Sequence, residues 1–188
     1  MKYDSATIQA TDGTTTETVD LDGMITEAEL IGKLWELFPA DPIDPEDEDA
    51  EEPNTDEMPD HVTLSNPEGF AEHLFEQLGL ATHEELVTPK GNFDDLLETW
   101  SNETDSDRRE AMGEYLDDMG ADDLSDFDEA YQGQFVDGAA FAEDMVNQLD
   151  TIPTDFPNWI AIDWEQTWNG ALRFDYHITD NGHVFRNM

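Results

Sequence analysis

The sequence predicts an α+β protein with short antiparallel sheets at each end and a helical bundle between them. Two observations indicate this class. Alternating segments near both ends meet at Asp-Gly or Asn-Gly turns, which favour hairpins. Between them, apolar residues recur at spacings of three and four, as in helices. We expect an elongated body of two or three small domains, with an N-terminal α+β part over 1–62, a helical bundle over 63–121 and a C-terminal α+β part over 122–188.

The N-terminal domain is expected to begin with a hairpin. Ser5 to Ala10 and Thr14 to Leu21 are rich in threonine, and Asp12-Gly13 supplies the turn. A helix should follow from Thr26, because Thr26 and Glu29 have the spacing of a capping box. Its buried stripe would be Leu30, Leu34, Leu37 and Phe38, and Pro39 would end it.

An acidic loop should separate this helix from the next segment. Residues 41–60 hold mostly acids and prolines, with Ile43 and Met58 as their large apolar residues. Such a stretch buries too little apolar surface to offset the entropy of ordering, so we predict a self-repelling loop or linker. His61 to Leu64 is expected to form a short strand after it.

The middle of the chain is predicted to be helical. Asn66 and Pro67 have the chemistry of a helix start, and Gly79 that of a helix stop. The buried stripe of this helix would be Phe70, Leu74, Phe75 and Leu78. Three more helices are expected over Thr82 to Val87, Phe93 to Trp100 and Asp105 to Met119.

The C-terminal domain is predicted to combine helices with a terminal hairpin. The expected helices are a brief one capped at Ser125 and ending at Gly133, one that opens at Asp137, and one from Asp163 to Leu172. The hairpin should pair Tyr176 to Thr179 with His183 to Arg186 around Asp180-Asn181-Gly182.

Charge is the property that bears most on function. Asp and Glu number 48 against 7 Lys and Arg, a formal net charge of -41. Double-stranded DNA carries one charge per ~1.7 Å of axis, so this excess equals roughly 70 Å, or about 20 base pairs, of duplex. Such a field repels nucleic acids and anionic membranes and attracts proteins with a basic groove. We therefore expect a basic protein as the partner.

The chain is nevertheless too apolar to be a disordered acidic tail, since 37% of its residues are hydrophobic. It has no cysteine, which excludes disulfides and thiolate catalysis. Met1 to Ala10 lacks the blocks of a signal peptide, and no run of about 18 apolar residues occurs. We expect a soluble cytoplasmic protein.

Sites for catalysis, metals or cofactors are not indicated. Carboxylates are so numerous that any pair of them has little meaning as a catalytic signal. His83-Glu84-Glu85 begins like a zinc-protease helix, but Val87 stands where the second histidine is needed. Phosphate-binding glycine loops and a Gly-x-Ser-x-Gly motif are both missing. We expect a protein that is not an enzyme and needs no cofactor and no metal.

Two kinds of binding surface are predicted instead. Phe127, Ala130 and Tyr131 share one side of a short helix, and are either ordinary core or an apolar dimer contact ringed by acids. The second surface is an acidic face that binds the partner. We expect it to include Asp94, Asp95, Glu98, Asp117, Asp118, Asp122, Asp123, Asp126, Asp128 and Glu129.

The C-terminal third resembles a known family. Phe127-Asp128-Glu129-Ala130-Tyr131-Gln132-Gly133 and Ile162-Asp163-Trp164-Glu165 are followed by Phe174-Asp175-Tyr176 and Gly182-His183-Val184-Phe185-Arg186. These runs are similar to the ArdA family of antirestriction proteins. In the rest of the chain the similarity is only positional.

The resemblance implies a DNA mimic carried by mobile elements. It implies an elongated three-domain homodimer that occupies the DNA-binding groove of type I restriction-modification enzymes. Two chains would present about 80 charges, which matches roughly 40 base pairs.

Salt adaptation is the alternative interpretation of the acids. Asp outnumbers Glu and Lys is rare, as in proteins that stay soluble at very high salt, so the acids could serve solvation without DNA mimicry. A third possibility, an acidic chaperone or histone-binding protein, is disfavoured because the acids spread through segments predicted to fold.

Overall fold

The protein is described by a computed structural model, which covers residues 2–40, 53–78, 86–149, 152, 155, 157 and 160–187. Helices and short antiparallel sheets are both present, which confirms the predicted α+β class. The chain divides into two compact units, Met1–Gly113 and Glu114–Met188.

A three-stranded antiparallel sheet opens the first unit. Its strands are β1 (Ala6–Thr11), β2 (Thr16–Asp20) and β3 (Thr63–Gly69), in the order β2-β1-β3. The predicted hairpin is confirmed, with Thr11 opposite Thr16. Its turn forms because one carboxylate oxygen of Asp12 accepts the backbone N–H groups of Thr14 and Thr15, each at 2.7 Å.

The first helix, α1 (Glu27–Leu37), begins as its sequence predicts. Thr26 accepts from the backbone N–H of Glu29, and the Glu29 carboxylate accepts from the backbone of Thr26 in return, which completes the capping box. Leu30 and Leu34 are fully buried. The acidic loop lies outside the described residues over 41–52.

The helix predicted from Asn66 to Gly79 is wrong. The described chain forms β3, a single helical turn α2 (Ala71–Leu74) and then β4 (Phe75–Gln77). Asn66 lies in β3 at the point where its register with β1 shifts, has a positive φ of 49°, and donates its side-chain amide to Oε1 of Gln9 at 2.9 Å. Strand pairing outweighs the local capping signal, because propensity is a weak prior against tertiary contacts.

The next predicted helix, Thr82 to Val87, falls mostly on residues that are not described, 79–85. Its last residue lies in β5 (Val87–Pro89), which pairs with β4. The helices α3 (Phe93–Asn102) and α4 (Ser106–Asp118) follow and confirm the two predictions made for them.

The predicted domain limits differ from this division. Because β3 pairs with β1, residues on both sides of 62/63 belong to one sheet. The described part of 63–121 contains three strands beside its helices, so it is not a purely helical bundle. The two units divide after Gly113, inside α4, and not after residue 121.

The second unit holds helices around a three-stranded antiparallel sheet. Its described elements, after the end of α4, are α5 (Phe127–Ala130), β6 (Tyr131–Gln134), α6 (Gly138–Gln148), α7 (Trp164–Gly170), a 3₁₀ turn (Leu172–Phe174), β7 (Tyr176–Ile178) and β8 (His183–Arg186). The sheet order is β6-β8-β7. The terminal hairpin and the helices capped by Asp137 and Asp163 are confirmed.

The brief helix expected from Ser125 to Gly133 is shorter than predicted. It ends at Ala130, because Tyr131 turns into β6 and pairs with Phe185 of β8. Across the described residues, no helix is long and apolar enough to cross a membrane.

Candidate functional site

All ten acids of the predicted partner-binding face are exposed. Asp94, Asp95 and Glu98 lie on α3 in the first unit. The other seven lie in the second unit, at the end of α4 and on α5 and the segment between them: Asp117, Asp118, Asp122, Asp123, Asp126, Asp128 and Glu129. Within each unit they are available to a partner in solution.

Two of these ten acids also hold the local fold. The Asp94 carboxylate accepts the backbone N–H of Glu27 at 2.5 Å, at the start of α1. Asp123 accepts the hydroxyl of Ser125 at 2.6 Å and its backbone N–H at 2.9 Å. These bonds from Ser125 lower the pKa of Asp123, so it stays charged. Asp94 and Asp123 therefore serve folding whether or not they meet a partner.

The acids at the end of α4 are placed against helix stability. Asp117 and Asp118 occupy its last turn, where the partial charge of the helix is negative and no basic residue lies. Asp118 lies 3.6 Å from Nε2 of His177, and both side chains are partly exposed. The helix dipole of α4 therefore does not favour these two charges.

Among the described carboxylates, only Glu110 and Glu114 are buried. Glu110 accepts the backbone N–H groups of Lys2 and Tyr3 at 2.9 and 2.7 Å. A buried carboxylate needs such donors, since burying an unpaired charge is costly. The role of Glu110 is to hold the N-terminal segment.

Glu114 does the equivalent in the second unit. Its carboxylate accepts from the hydroxyl of Thr179, from the side-chain amide of Asn181 and from Nδ1 of His183, the last at 2.8 Å. His183 is 1% exposed, and Val184 and Phe185 are fully buried beside it. The Gly-His-Val-Phe-Arg run that carries the family resemblance thus forms a core strand and the anchor of a turn. Sequence reasoning did not assign a role to Glu110 or Glu114.

Phe127 and Ala130, two of the three predicted dimer-contact residues, lie inside the second unit. Phe127 is 2% exposed and Ala130 is fully buried. Phe127 stacks on Tyr131 with ring centroids 5.3 Å apart, and packs edge-on against Tyr115 at 5.7 Å. Of the two predicted alternatives, ordinary core packing is therefore the one that holds for Phe127 and Ala130. Tyr131 alone keeps some exposed surface, and the dimer itself stays a prediction.

Most of the few cations are already paired with acids of the same chain. Lys2 pairs with Glu72, Lys33 with Glu36, Arg108 with Glu103 and Arg109 with Asp22, at 2.7 to 3.0 Å. Seven Lys and Arg stand against 48 Asp and Glu, so pairing within the chain can neutralise only a small share of the acids. The surface field therefore stays strongly negative.

Within the described residues, no group of three or more His, Asp or Glu side chains is arranged to hold a metal ion. The acidic surface is thus the candidate site. Comparisons with protein-family models, with curated proteins and with solved structures found no match.

Proposed function

We propose that this protein is an antirestriction protein that acts as a DNA mimic and occludes the DNA-binding groove of type I restriction-modification enzymes. The observation that carries the proposal is the placement of the charge. A net charge of -41 lies on a folded α+β chain in which all but two of the described acids reach the surface. The resemblance of 127–188 to ArdA names the enzyme class.

The mechanism is stoichiometric. Carboxylates stand in for phosphates and pair with the Lys and Arg that line the groove of the enzyme, which releases counterions as DNA binding does. Affinity is a sum over many weak contacts, so no single exposed acid is decisive. An elongated homodimer would double the length of duplex that is imitated.

A titration of the protein into restriction and methylation assays of a type I enzyme tests this proposal. One variant neutralises four exposed acids of the proposed face whose side chains make no hydrogen bond or ion pair among the described residues: D95N, E98Q, D126N and E129Q. The matched control neutralises four exposed acids in other places: E17Q, E143Q, E165Q and D175N. Both variants change the net charge equally.

The expected result is inhibition by the native chain and a larger loss with the first block than with the control block. Each single change should have a small effect. A loss from one single change as large as the loss from the whole first block would contradict a distributed face, and failure of the native chain to inhibit any type I enzyme would end the proposal.

Salt adaptation is the second candidate, and the excess of Asp over Glu with few Lys favours it. The two candidates separate in a salt series, because the Debye length falls to ~3 Å at 1 M and steering is lost. A protein that is only salt-adapted gains structure with salt and inhibits nothing. A mimic inhibits at salt concentrations where it is folded, and its inhibition weakens as salt rises further, because counterion release drives its binding.

A further inference from the structure

The turn between β7 and β8 requires a glycine after Asn181. Gly182 has a φ of +87°, and a Cβ on it would lie 2.2 Å from the backbone oxygen of Phe135. Its N–H donates to the oxygen of Thr179 at 3.0 Å, and the N–H of Thr179 donates to the oxygen of His183 at 2.9 Å. No side chain fits at this position without displacing backbone.

Two hydrogen bonds hold Asn181 in this turn, one through its side chain and one through its backbone. Its side-chain amide donates to the Glu114 carboxylate, and its backbone oxygen accepts from Nε2 of Gln134 at 3.0 Å. Glu114 is 8% exposed, whereas Asn181 itself is exposed. The amide of Asn181 is thus an anchor of the hairpin and is also reachable by water.

We propose that Asn181 is a site of spontaneous deamidation that the Glu114 contact suppresses in the folded chain. The backbone nitrogen of Gly182 attacks Cγ of Asn181 and loses its proton. The Cγ–Nδ2 bond breaks, and the amide nitrogen takes up the proton lost by Gly182 and leaves as ammonia. Water then opens the cyclic imide to aspartate or isoaspartate. The missing side chain of Gly182 leaves the attacking nitrogen unhindered, and asparagine is among the thermolabile residues.

The fold slows the first step at both reacting groups. The attacking nitrogen is committed to its bond with Thr179, and the leaving amide to its bond with Glu114. Both bonds must open before Gly182 can reach Cγ. Deamidation at 181 therefore reports local opening of the terminal hairpin.

The product cannot restore the contact. A carboxylate at 181 has no hydrogen to donate and faces the charge of Glu114, and two carboxylates sharing a site repel each other. Glu114 would keep only Thr179 and His183 as donors. Conversion at 181 would therefore loosen the hairpin from α4.

The test follows deamidation of the full chain by peptide mass analysis, in native buffer and in concentrated urea. Asn169-Gly170, the other Asn-Gly pair of the sequence, serves as the comparator within the same molecule. In urea we expect the two sites to convert at similar rates. In native buffer the rate at 181 should fall at least about tenfold, as expected when a hydrogen bond to a charged group must open. An equal rate at 181 in both conditions overturns the proposal.

Two variants separate the local contact from global unfolding. Glu114→Ala should accelerate conversion at 181 and leave 169 unchanged, whereas an unfolded variant accelerates both sites. If conversion accelerates at both sites in Glu114→Ala, that variant has unfolded. The stability of N181D is then measured, because this variant carries the carboxylate that deamidation produces. N181D should lower the folded-to-unfolded ratio about tenfold more than the uncharged N181S. Equal stability of N181D and N181S would overturn the repulsive step.

Discussion

The carboxylate of Glu110 lies 2.7 Å from the backbone nitrogen of Tyr3, and both residues are buried. On its other side, the backbone oxygen of Tyr3 accepts from the indole N–H of Trp100 at 2.9 Å. Trp100 in turn stacks on Phe70 with ring centroids 5.1 Å apart. Glu110 thus links the first residues of the chain to the core of the first unit.

Removal of this carboxylate should cost far more stability than removal of an exposed one. Glu110→Ala leaves the N–H groups of Lys2 and Tyr3 without their acceptor, and we expect a loss of about 2–3 kcal/mol in the free energy of unfolding. Glu98→Ala, at an exposed position of α3, is the control and should change the free energy of unfolding little. Urea unfolding followed by tryptophan fluorescence measures both. Similar losses in the two variants would show that the Glu110 bonds do not form.

Phe127 is expected to act through folding. Phe127→Asp puts a charge among Tyr115, Tyr131 and Phe185, and should unfold the second unit, because an unpaired buried charge is strongly disfavoured. Phe127→Leu should cost about 1–2 kcal/mol and keep the fold. Circular dichroism and mass in solution, measured together, check this. A well-folded Phe127→Asp that only changes from dimer to monomer would instead place Phe127 at a chain–chain contact.

Neighbouring acids on α3 should differ in their effect on stability. Asp94→Asn weakens the bond to the N–H of Glu27 at the start of α1, where negative charge is also favoured, so we expect a loss of about 0.5–1 kcal/mol. Asp95→Asn breaks no such bond; it removes a charge that the first turn of α3 favours and the neighbouring acids repel, so its effect on stability should be smaller. Thermal unfolding at low salt compares them. Equal losses in the two variants would contradict a structural role for Asp94.

The pH dependence of stability should contain a contribution from Glu103. Burial raises the pKa of its carboxyl, but the backbone N–H of Asp105 and the side chain of Arg108 outweigh burial and lower the pKa below its ordinary value of 4.5. A group with a lowered pKa stabilises the fold above its unfolded value, and this contribution is lost as the pH falls through the lowered pKa.

Glu103→Gln should therefore destabilise the chain at pH 7 and make little difference at low pH. The difference between the two chains is the useful quantity, because acid also relieves repulsion among the other carboxylates. Urea unfolding from neutral to acidic pH measures it. A difference that stays constant across this range would mean that Glu103 titrates alike in the folded and unfolded states.

Local signals in the sequence were sufficient for most elements. The capping box at Thr26, the capping aspartates Asp137 and Asp163, and the turn at Asp180-Asn181-Gly182 each act within a few residues. Their hydrogen bonds form between groups that are near in the chain. Such elements are readable because the favoured local structure is also the native one.

Asn66 shows why the middle segment was misread. Asn66-Pro67 satisfies the chemistry of a helix start, yet the segment joins a sheet with a strand roughly sixty residues earlier in the chain. The stability of that pairing depends on β1 and on the hydrogen bond from the Asn66 amide to Oε1 of Gln9, and both partners lie far from Asn66 in sequence. The candidate site was predictable only in part. Composition predicts that most acids are exposed, but it does not predict the hydrogen bonds by which Asp94 and Asp123 hold the local fold.

Composition and local pattern by themselves determined the α+β class, most helix and strand positions, and a surface that must be anionic, because these depend on residue type and short-range spacing. Only the tertiary structure decided that Glu110 and Glu114 are buried anchors, that Phe127 is core and that β3 completes the first sheet. Each of these depends on contacts between residues far apart in the chain, which bring a carboxylate to its donors or an aromatic ring into a cluster. Such contacts exist only once the chain has folded.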